Sequence, residues 1–163
     1  MKKFVLLLLA AFIMFGCASN SEKGKPPKFK APKIAKTEEQ EPVYDKVDGV
    51  AVDMNNKGIG PVKSVTIPET IDMALAKEGE GIYNALCLAC HRPTQKFIGP
   101  APKGVLERRS PEWVMNMIIN PEKMVAEDPI AKKLLIEYNG SPMANQGVTE
   151  EKARAILEYF RTL

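Results

Sequence analysis

Five consecutive residues, Cys87-Leu88-Ala89-Cys90-His91, place two thiols one helical turn apart and an imidazole directly after them. This spacing suits covalent attachment of haem, because two thiols at this separation can reach the two vinyl groups on one edge of the porphyrin. The adjacent histidine can then turn under the ring and bind the iron. The pattern predicts one covalently attached haem c, held by Cys87 and Cys90, with His91 as an iron ligand.

A zinc site and a redox-active dithiol are the competing interpretations of this motif. A structural zinc site uses four cysteine or histidine ligands, usually as two spaced pairs, whereas His91 is the only histidine of the chain. A thioredoxin-like dithiol belongs to a βαβ setting, whereas the sequence before Cys87 has helical periodicity. Haem attachment is therefore the interpretation that the residues favour.

The sixth iron ligand cannot be a second histidine of the same chain, so a methionine, a lysine, another donor or an open position is left. Among the eight methionines, Met143 and Met124 are the main candidates. Met143 is in an irregular loop before the last predicted helix, where the chain can cross the haem face. We expect Met143 to bind the iron, with Met124 as the fallback. Met115 and Met117 fall within a predicted helix, where methionine more often fills the core.

The first residues have the pattern of a bacterial export signal. A basic start, residues 1–3, is followed by an apolar run over residues 4–15, which is too short to span the ~30 Å hydrocarbon core of a membrane as a helix. Residues 14–17, Met-Phe-Gly-Cys, resemble a lipobox, in which the cysteine becomes the acylated N-terminus. We predict a lipoprotein signal peptide over residues 1–16 and lipidation of Cys17. Ordinary cleavage and an uncleaved anchor are the alternatives.

Residues 17–68 follow the lipobox and are rich in Lys, Pro, Gly, Glu and Asn, with no sustained helical or strand periodicity. We predict a lipid-anchored flexible linker over this range, which would let a tethered domain reach several partners. Two parts of it, Tyr44 to Val52 and Gly58 to Ile67, alternate to some extent and are expected to lie along the domain surface.

The rest of the chain, residues 69–163, is predicted to form one all-α domain. Thr70 is expected to cap a first helix that ends at the cysteine motif, and Gly79 and Gly81 within that helix suggest the close approach of another helix. Further along, three capping side chains stand directly before prolines, which are well tolerated at the first helical position. The helices predicted from these caps lie near 111–119, 121–126 and 129–138, the last ended by Asn139-Gly140, and a final helix begins at Thr149.

The charge distribution argues against nucleic-acid binding. The formal net charge of the chain is +3, but the basic residues concentrate near the N-terminus, and from Glu69 onward acidic and basic residues nearly balance. A domain that binds nucleic acid is expected to carry a basic face. We therefore expect no nucleic-acid partner.

The region from about Ala74 to Leu163 resembles the class I monohaem cytochrome c family. The resemblance implies a cytochrome c-like domain of about four to five helices around one covalently bound haem. It implies that the Pro100 carbonyl holds the second nitrogen of the iron-binding histidine, and that the first and last helices cross at the small residue Gly79. The residues that carry the resemblance are Gly79, Tyr83, Cys87, Cys90, His91, Gly99, Pro100, Met143 and Tyr159, with Gly99 and Pro100 in the haem pocket.

These features together predict a periplasmic electron carrier rather than an enzyme, anchored to a bacterial membrane by its N-terminal lipid. We expect it to pass electrons from a quinol-oxidising respiratory complex to a terminal reductase or oxidase. The stretch from Arg108 to Leu135 is also similar to small cytochromes found alongside periplasmic nitrous-oxide reductase, which suggests that enzyme as an acceptor. The alternatives are a haem enzyme or gas-binding sensor with an open or displaceable sixth ligand, and an assembly lipoprotein whose haem is structural.

Overall fold

The computed structural model describes residues 45–47 and 50–163, so the predicted signal peptide and Cys17 lie outside the described residues. The predicted all-α cytochrome c domain is confirmed, because helices are the main elements from residue 73 onward. A short antiparallel hairpin, β1 paired with β2, precedes them. The elements are β1 (Asp45–Val47), β2 (Val50–Val52), α1 (Met73–Leu86), a 3₁₀ turn (Val105–Glu107), α2 (Pro111–Ile119), α3 (Pro121–Glu127), α4 (Pro129–Glu137) and α5 (Glu150–Phe160).

Four of the predicted helix starts are confirmed by side-chain caps. The side chains of Ser110, Asn120 and Asp128 accept backbone N–H groups at 3.2, 3.4 and 2.8 Å at the starts of α2, α3 and α4. Thr149 does the same for α5 at 3.4 Å. Because each cap satisfies a backbone donor that the helix itself leaves unpaired, short polar side chains before prolines were reliable guides to these boundaries.

The start of α1 differs from the prediction, since its cap is Asp72 and not Thr70. The Asp72 carboxylate accepts the N–H groups of Ala74 and Leu75, both at 3.0 Å. The backbone around Thr70 is instead held by Arg161, whose guanidinium donates to the carbonyls of residues 68, 69 and 70. This tertiary contact keeps the segment before Asp72 out of the helix.

Helices α1 and α5 pack closely at a glycine. A Cβ atom at Gly79 would overlap the backbone carbonyl of Ala155, so only glycine permits this approach. Gly81, two residues later, has no atom within 4 Å of the position that a Cβ would take. The expected helix contact is therefore present at Gly79, whereas Gly81 has no packing role. The apolar face of α5 is buried, with Ala153, Ile156 and Leu157 at 0% exposure.

Residues 53–68, here called the docked segment, pack against the helices, where the sequence predicted a flexible linker. The buried side chain of Asn116 on α2 holds this segment. It accepts the Val62 N–H at 3.0 Å and donates to the carbonyls of Val62 and Lys57, both at 2.9 Å. Val62 itself is 2% exposed and belongs to the core. The alternation over Gly58 to Ile67 agrees with this position, since its two isoleucines and Val65 pack against the core, whereas hydrogen bonds to the main chain leave no periodic pattern.

A second polar residue of α2, Glu112, also binds the docked segment. Its carboxylate accepts from the Lys57 ammonium at 3.1 Å and from the Val65 N–H at 3.2 Å. Burial alone would raise the pKa of Glu112, but these hydrogen bonds, one from its own backbone, and the charge of Lys57 outweigh burial and hold the pKa below its usual value. The carboxylate is therefore charged where it meets the segment.

Within residues 50–163, no helix is both long and apolar enough to cross a membrane.

Candidate haem-binding site

The cysteine motif forms one tight turn at the end of α1. Cys87 is the C-terminal cap of the helix and donates its N–H to the Tyr83 carbonyl at 2.8 Å. The N–H groups of Cys90 and His91 both donate back to the Cys87 carbonyl, at 3.0 and 2.9 Å. Burial, with a smaller contribution from Cys90, raises the pKa of the Cys87 thiol. The turn brings the two thiols and the imidazole to the wall of one cavity.

One ring nitrogen of His91 is already occupied by the protein. Its Nδ1 is 2.8 Å from the Pro100 carbonyl oxygen, the contact that the family resemblance implied. Because a carbonyl oxygen only accepts hydrogen bonds, Nδ1 must carry the proton, and Nε2 is then the unprotonated nitrogen. This arrangement leaves Nε2 with a lone pair for a metal ion, and a second hydrogen bond of this kind is how proteins orient metal-binding histidines.

Gly99 lies directly against the His91 ring. A Cβ atom at this position would come within 2.7 Å of Nδ1 and 3.0 Å of Nε2, which a real side chain cannot do without moving the ring. The backbone of Gly99 is fixed as well, since its N–H donates to the Cys90 carbonyl at 2.9 Å. The pair Gly99-Pro100 therefore sets the orientation of the His91 ring: Gly99 leaves room for the ring, and the Pro100 carbonyl accepts the hydrogen bond from Nδ1.

Tyr83 fixes the same histidine from its backbone side. Its hydroxyl donates to the His91 carbonyl at 2.6 Å, and the side chain is 1% exposed. Burial, with smaller effects of Tyr159 and Cys87, raises the pKa of Tyr83 to about 12, so the hydroxyl keeps its proton at neutral pH. An aromatic residue on a helix is usually core packing, and the Tyr83 ring does pack against Tyr159 and Phe160 at centroid distances of 5.3 and 5.7 Å. The contact of its hydroxyl was missed.

An apolar cavity beside the motif has the residues that a covalently held haem requires. It encloses about 820 Å³, part of it open to solvent, and a neighbouring cavity of about 520 Å³ adjoins the same histidine. Apolar walls suit a porphyrin ring, thiols on one wall suit its vinyl groups, and the oriented imidazole suits its iron. The donor set therefore fits haem c. The residues that line both cavities are Cys87, His91, Pro100, Met117 and Met143.

The methionines occupy different places relative to this cavity. Met143 lines both cavities, in the loop between α4 and α5. Met124 is absent from the walls of both and is 0% exposed, with its sulfur accepting the Ile59 N–H of the docked segment at 3.0 Å. Met117, which we expected to be core filler, lines both cavities. Residues 113, 114, 117 and 118 form one face of α2, and all four line the smaller cavity, but the sequence pattern alone does not distinguish such a face from a core face.

The comparisons with known proteins agree with this geometry. The family model described as cytochrome c matches residues 76–163. Among solved structures, cytochrome c from Rhodothermus marinus is 48% identical, with a TM-score of 0.61 over 63% of this chain and 88% of that protein. An engineered form of it, Rma TDE, gives 48% and 0.61 over 63% and 89%. The engineered form bound to a carbene intermediate gives 48% and 0.58 over 63% and 88%. No curated protein matches the chain.

Haem c attached to both cysteines of a CXXCH motif is the cofactor of this family, and Cys87, Cys90 and His91 supply that motif here. The matched region begins inside α1 and ends with the last residue of the chain, so it includes the motif, the Gly99-Pro100 pair and the Met143 loop. The chain belongs to the cytochrome c family.

Proposed function

We propose that this protein is a membrane-tethered periplasmic electron carrier whose single haem c has His91 and Met143 as axial ligands. The observation that carries the proposal is the state of His91, whose Nδ1 is held by the Pro100 carbonyl at 2.8 Å. Its other nitrogen is thereby prepared for iron in a cavity that Met143 also lines. Haem iron, when bound, supplies a centre that gains and loses one electron.

The protein residues suit transfer of an electron better than conversion of a substrate. Imidazole and thioether are both neutral donors, and a methionine ligand favours the reduced iron and raises its potential. With both axial positions filled, no position is left where a substrate could bind the metal. The apolar cavity also keeps water from the haem, which lessens the solvent rearrangement that accompanies a change of charge.

The partners and location in this proposal follow from the sequence and from the surface near the cavity. The lipobox at residues 14–17 supports a lipid anchor at Cys17. The proposed donor is a quinol-oxidising complex. The proposed acceptor is a terminal reductase or oxidase, such as nitrous-oxide reductase. Phe97, beside the cavity residue Ile98, is 48% exposed and lines neither cavity. An exposed aromatic side chain near the haem site would suit brief contacts with redox partners.

The ligand assignment can be tested on the haem-loaded protein. A methionine bound to ferrous low-spin haem has its methyl proton resonance shifted far upfield by the ring current. We expect wild-type protein to show one such resonance, Met143→Ala to remove it, and Met124→Leu to leave it at the same position. Loss of the resonance in the Met124 variant, or its absence in wild type, would contradict the proposed ligand pair.

A haem enzyme or gas-binding sensor is the second candidate, and one observation favours it. The engineered form of the R. marinus protein is bound to a carbene intermediate, so a protein similar to this chain can hold a small reactive group. Exposure of the ferrous wild-type protein to carbon monoxide separates the candidates. A carrier with a stable methionine ligand binds the gas slowly at neutral pH and is reduced by a quinol-oxidising complex, whereas rapid binding supports a displaceable ligand.

A further inference from the structure

The cavity wall contains a second thioether besides Met143. Met117, on α2, lines both cavities together with His91 and Met143. Its helix neighbour Asn116 is fully buried and makes three hydrogen bonds to the docked segment, and Ile118 is 7% exposed. Met117 therefore extends into the haem-binding space from a helix that is fixed on both sides.

The loop that carries Met143 is held much less firmly. Asn139 and Gly140 end α4 with positive φ angles of 59° and 72°, as the sequence predicted. Beyond Ser141, the N–H groups of residues 143–146 donate no hydrogen bond within the described chain. A backbone with few hydrogen bonds is the mark of a segment that opens locally at low free-energy cost.

From this contrast we propose that Met117 is a reserve iron ligand, whose thioether binds the iron when Met143 leaves it. The inference rests on the proposed His91 and Met143 ligation. Methionine has an unbranched side chain with three rotatable bonds, so it can redirect its sulfur without movement of the helix. One neutral thioether replaces another, so one iron–sulfur bond breaks and one forms with no proton or electron gained or lost. The iron thus keeps six ligands while the loop is open, and small gaseous ligands find no vacancy.

The test uses the full chain with its haem attached and compares three variants. Met143→Ala removes the first sulfur, and Met117→Leu removes the second while preserving apolar volume. Met115→Leu is the matched control, because Met115 is on the same helix, is 2% exposed and does not line either cavity. The readouts are the upfield methyl resonance of ferrous protein and its rate of carbon monoxide binding.

We expect Met143→Ala to lose the wild-type methyl resonance and gain a new one at a different upfield position. Met143→Ala combined with Met117→Leu should lose both resonances and bind carbon monoxide rapidly, whereas Met143→Ala combined with Met115→Leu should behave as Met143→Ala alone. Met143→Leu, which keeps the loop apolar, replaces the alanine variant in all three comparisons if helix content falls.

The proposal is overturned if Met143→Ala alone shows no methionine resonance and binds carbon monoxide as fast as the variant that lacks both sulfurs. Failure of the proposed function looks different, because the wild-type protein itself would then lack a methionine resonance. If Met117→Leu alone removes the wild-type resonance and Met143→Ala does not, Met117 is the resident ligand, and both the Met143 assignment and the reserve role are wrong.

Discussion

The imidazole of His91 is fixed at two points, its ring by the Pro100 carbonyl and its backbone carbonyl by the Tyr83 hydroxyl. The two contacts act on different parts of one residue, so together they restrict both the ring orientation and the position of the chain that carries it. In metal sites, loss of an outer contact that orients a ligand typically costs about 10- to 100-fold in metal affinity or activity. Tyr83 therefore has a role that a phenylalanine could fill only in part.

Tyr83→Phe tests this role at the scale of one hydroxyl group. Loss of the hydrogen bond to the His91 carbonyl should lower the free energy of unfolding by about 1 kcal/mol. Looser positioning of the imidazole should weaken its bond to ferric iron more than to ferrous iron, so the midpoint potential should rise in voltammetry. Tyr159→Phe is the control, since the Tyr159 hydroxyl makes no hydrogen bond to His91. Equal potentials for wild type and Tyr83→Phe would leave Tyr83 with a packing role only.

The contrast between His91 and the other site residues shows how much of this site could be predicted. The motif around His91 has a spacing that few other sites use, so the thiols and the imidazole could be placed from the sequence alone. Tyr83 and Met117 could not, because an aromatic residue or a methionine on an apolar helix face is usually core. Only the fold shows that the Tyr83 hydroxyl meets a carbonyl and that Met117 faces the cavity.

At the scale of the elements, the starts of α2 to α5 were predictable because a local cap sets each of them. The start of α1 and the hydrogen bonds that hold the docked segment were not, because contacts distant in sequence decide both, although the alternation over Gly58 to Ile67 did indicate that this part lies along the domain surface. Arg161 binds the carbonyls before Asp72, and Asn116 binds the backbone of residues 57 and 62. Neither contact leaves a periodic trace in the segment that it holds.

Gly79 and Gly81 form a matched pair for testing the contact between α1 and α5. Gly79→Ala should destabilise the fold by about 1 to 3 kcal/mol, because its Cβ would overlap the Ala155 backbone, which cannot move as a flexible side chain could. Gly81→Ala should instead stabilise it by up to about 1 kcal/mol, because alanine favours a helix and nothing lies nearby. Denaturant unfolding of both variants measures the difference, and similar effects would contradict the assigned crossing.

Asn116→Ala tests the attachment of the docked segment to α2. Three hydrogen bonds from one fully buried amide would be lost, and the backbone groups of Val62 and Lys57 would lose their partners. We expect a loss of about 1 to 3 kcal/mol in unfolding free energy and faster hydrogen exchange over residues 57–65. Lys123→Ala, at an exposed position on α3, serves as the control. Unchanged exchange in the docked segment would show that its other contacts, including those with Glu112 and Met124, are enough to hold it.

At the scale of the whole molecule, the chain before α1 is secured to the domain at both ends of the docked segment. The Asp53 N–H donates to the Arg108 carbonyl at 3.0 Å, and the Asp72 N–H donates to the buried carboxylate of Glu158 at 2.8 Å. Burial alone would raise the pKa of Glu158, but the bonds from Arg154 and Asp72 and the charges of Arg154 and Arg161 hold it below its usual value. The folded domain therefore begins well before the haem motif, and because β1, β2 and the docked segment all lie within the predicted linker, the flexible-linker prediction now applies only to residues 17–44.

A shorter linker reduces the reach expected of the tether. For the 28 residues 17–44, taken as the flexible linker that the sequence predicts, a root-mean-square span of roughly 26 to 32 Å follows, compared with about 40 Å for the longer linker. Such a span would suit partners in or near the same membrane, provided that Cys17 is the anchor. The anchor is therefore the property on which the proposed biological role of the whole molecule depends.

Cys17→Ser tests the anchor directly. Stable anchoring needs several acyl chains, which lipidation of Cys17 would supply. A serine cannot take the thioether-linked lipid, so the variant should leave the membrane fraction and appear in the soluble periplasmic fraction. Its haem content and absorption spectrum should match those of wild type, since the haem cysteines are not changed. Cell fractionation followed by haem staining of denaturing gels measures both properties at once. Retention in membranes of variant protein from which residues 1–16 have been removed would mean that a bound partner holds the protein there, and the lipid would then have no part in its location.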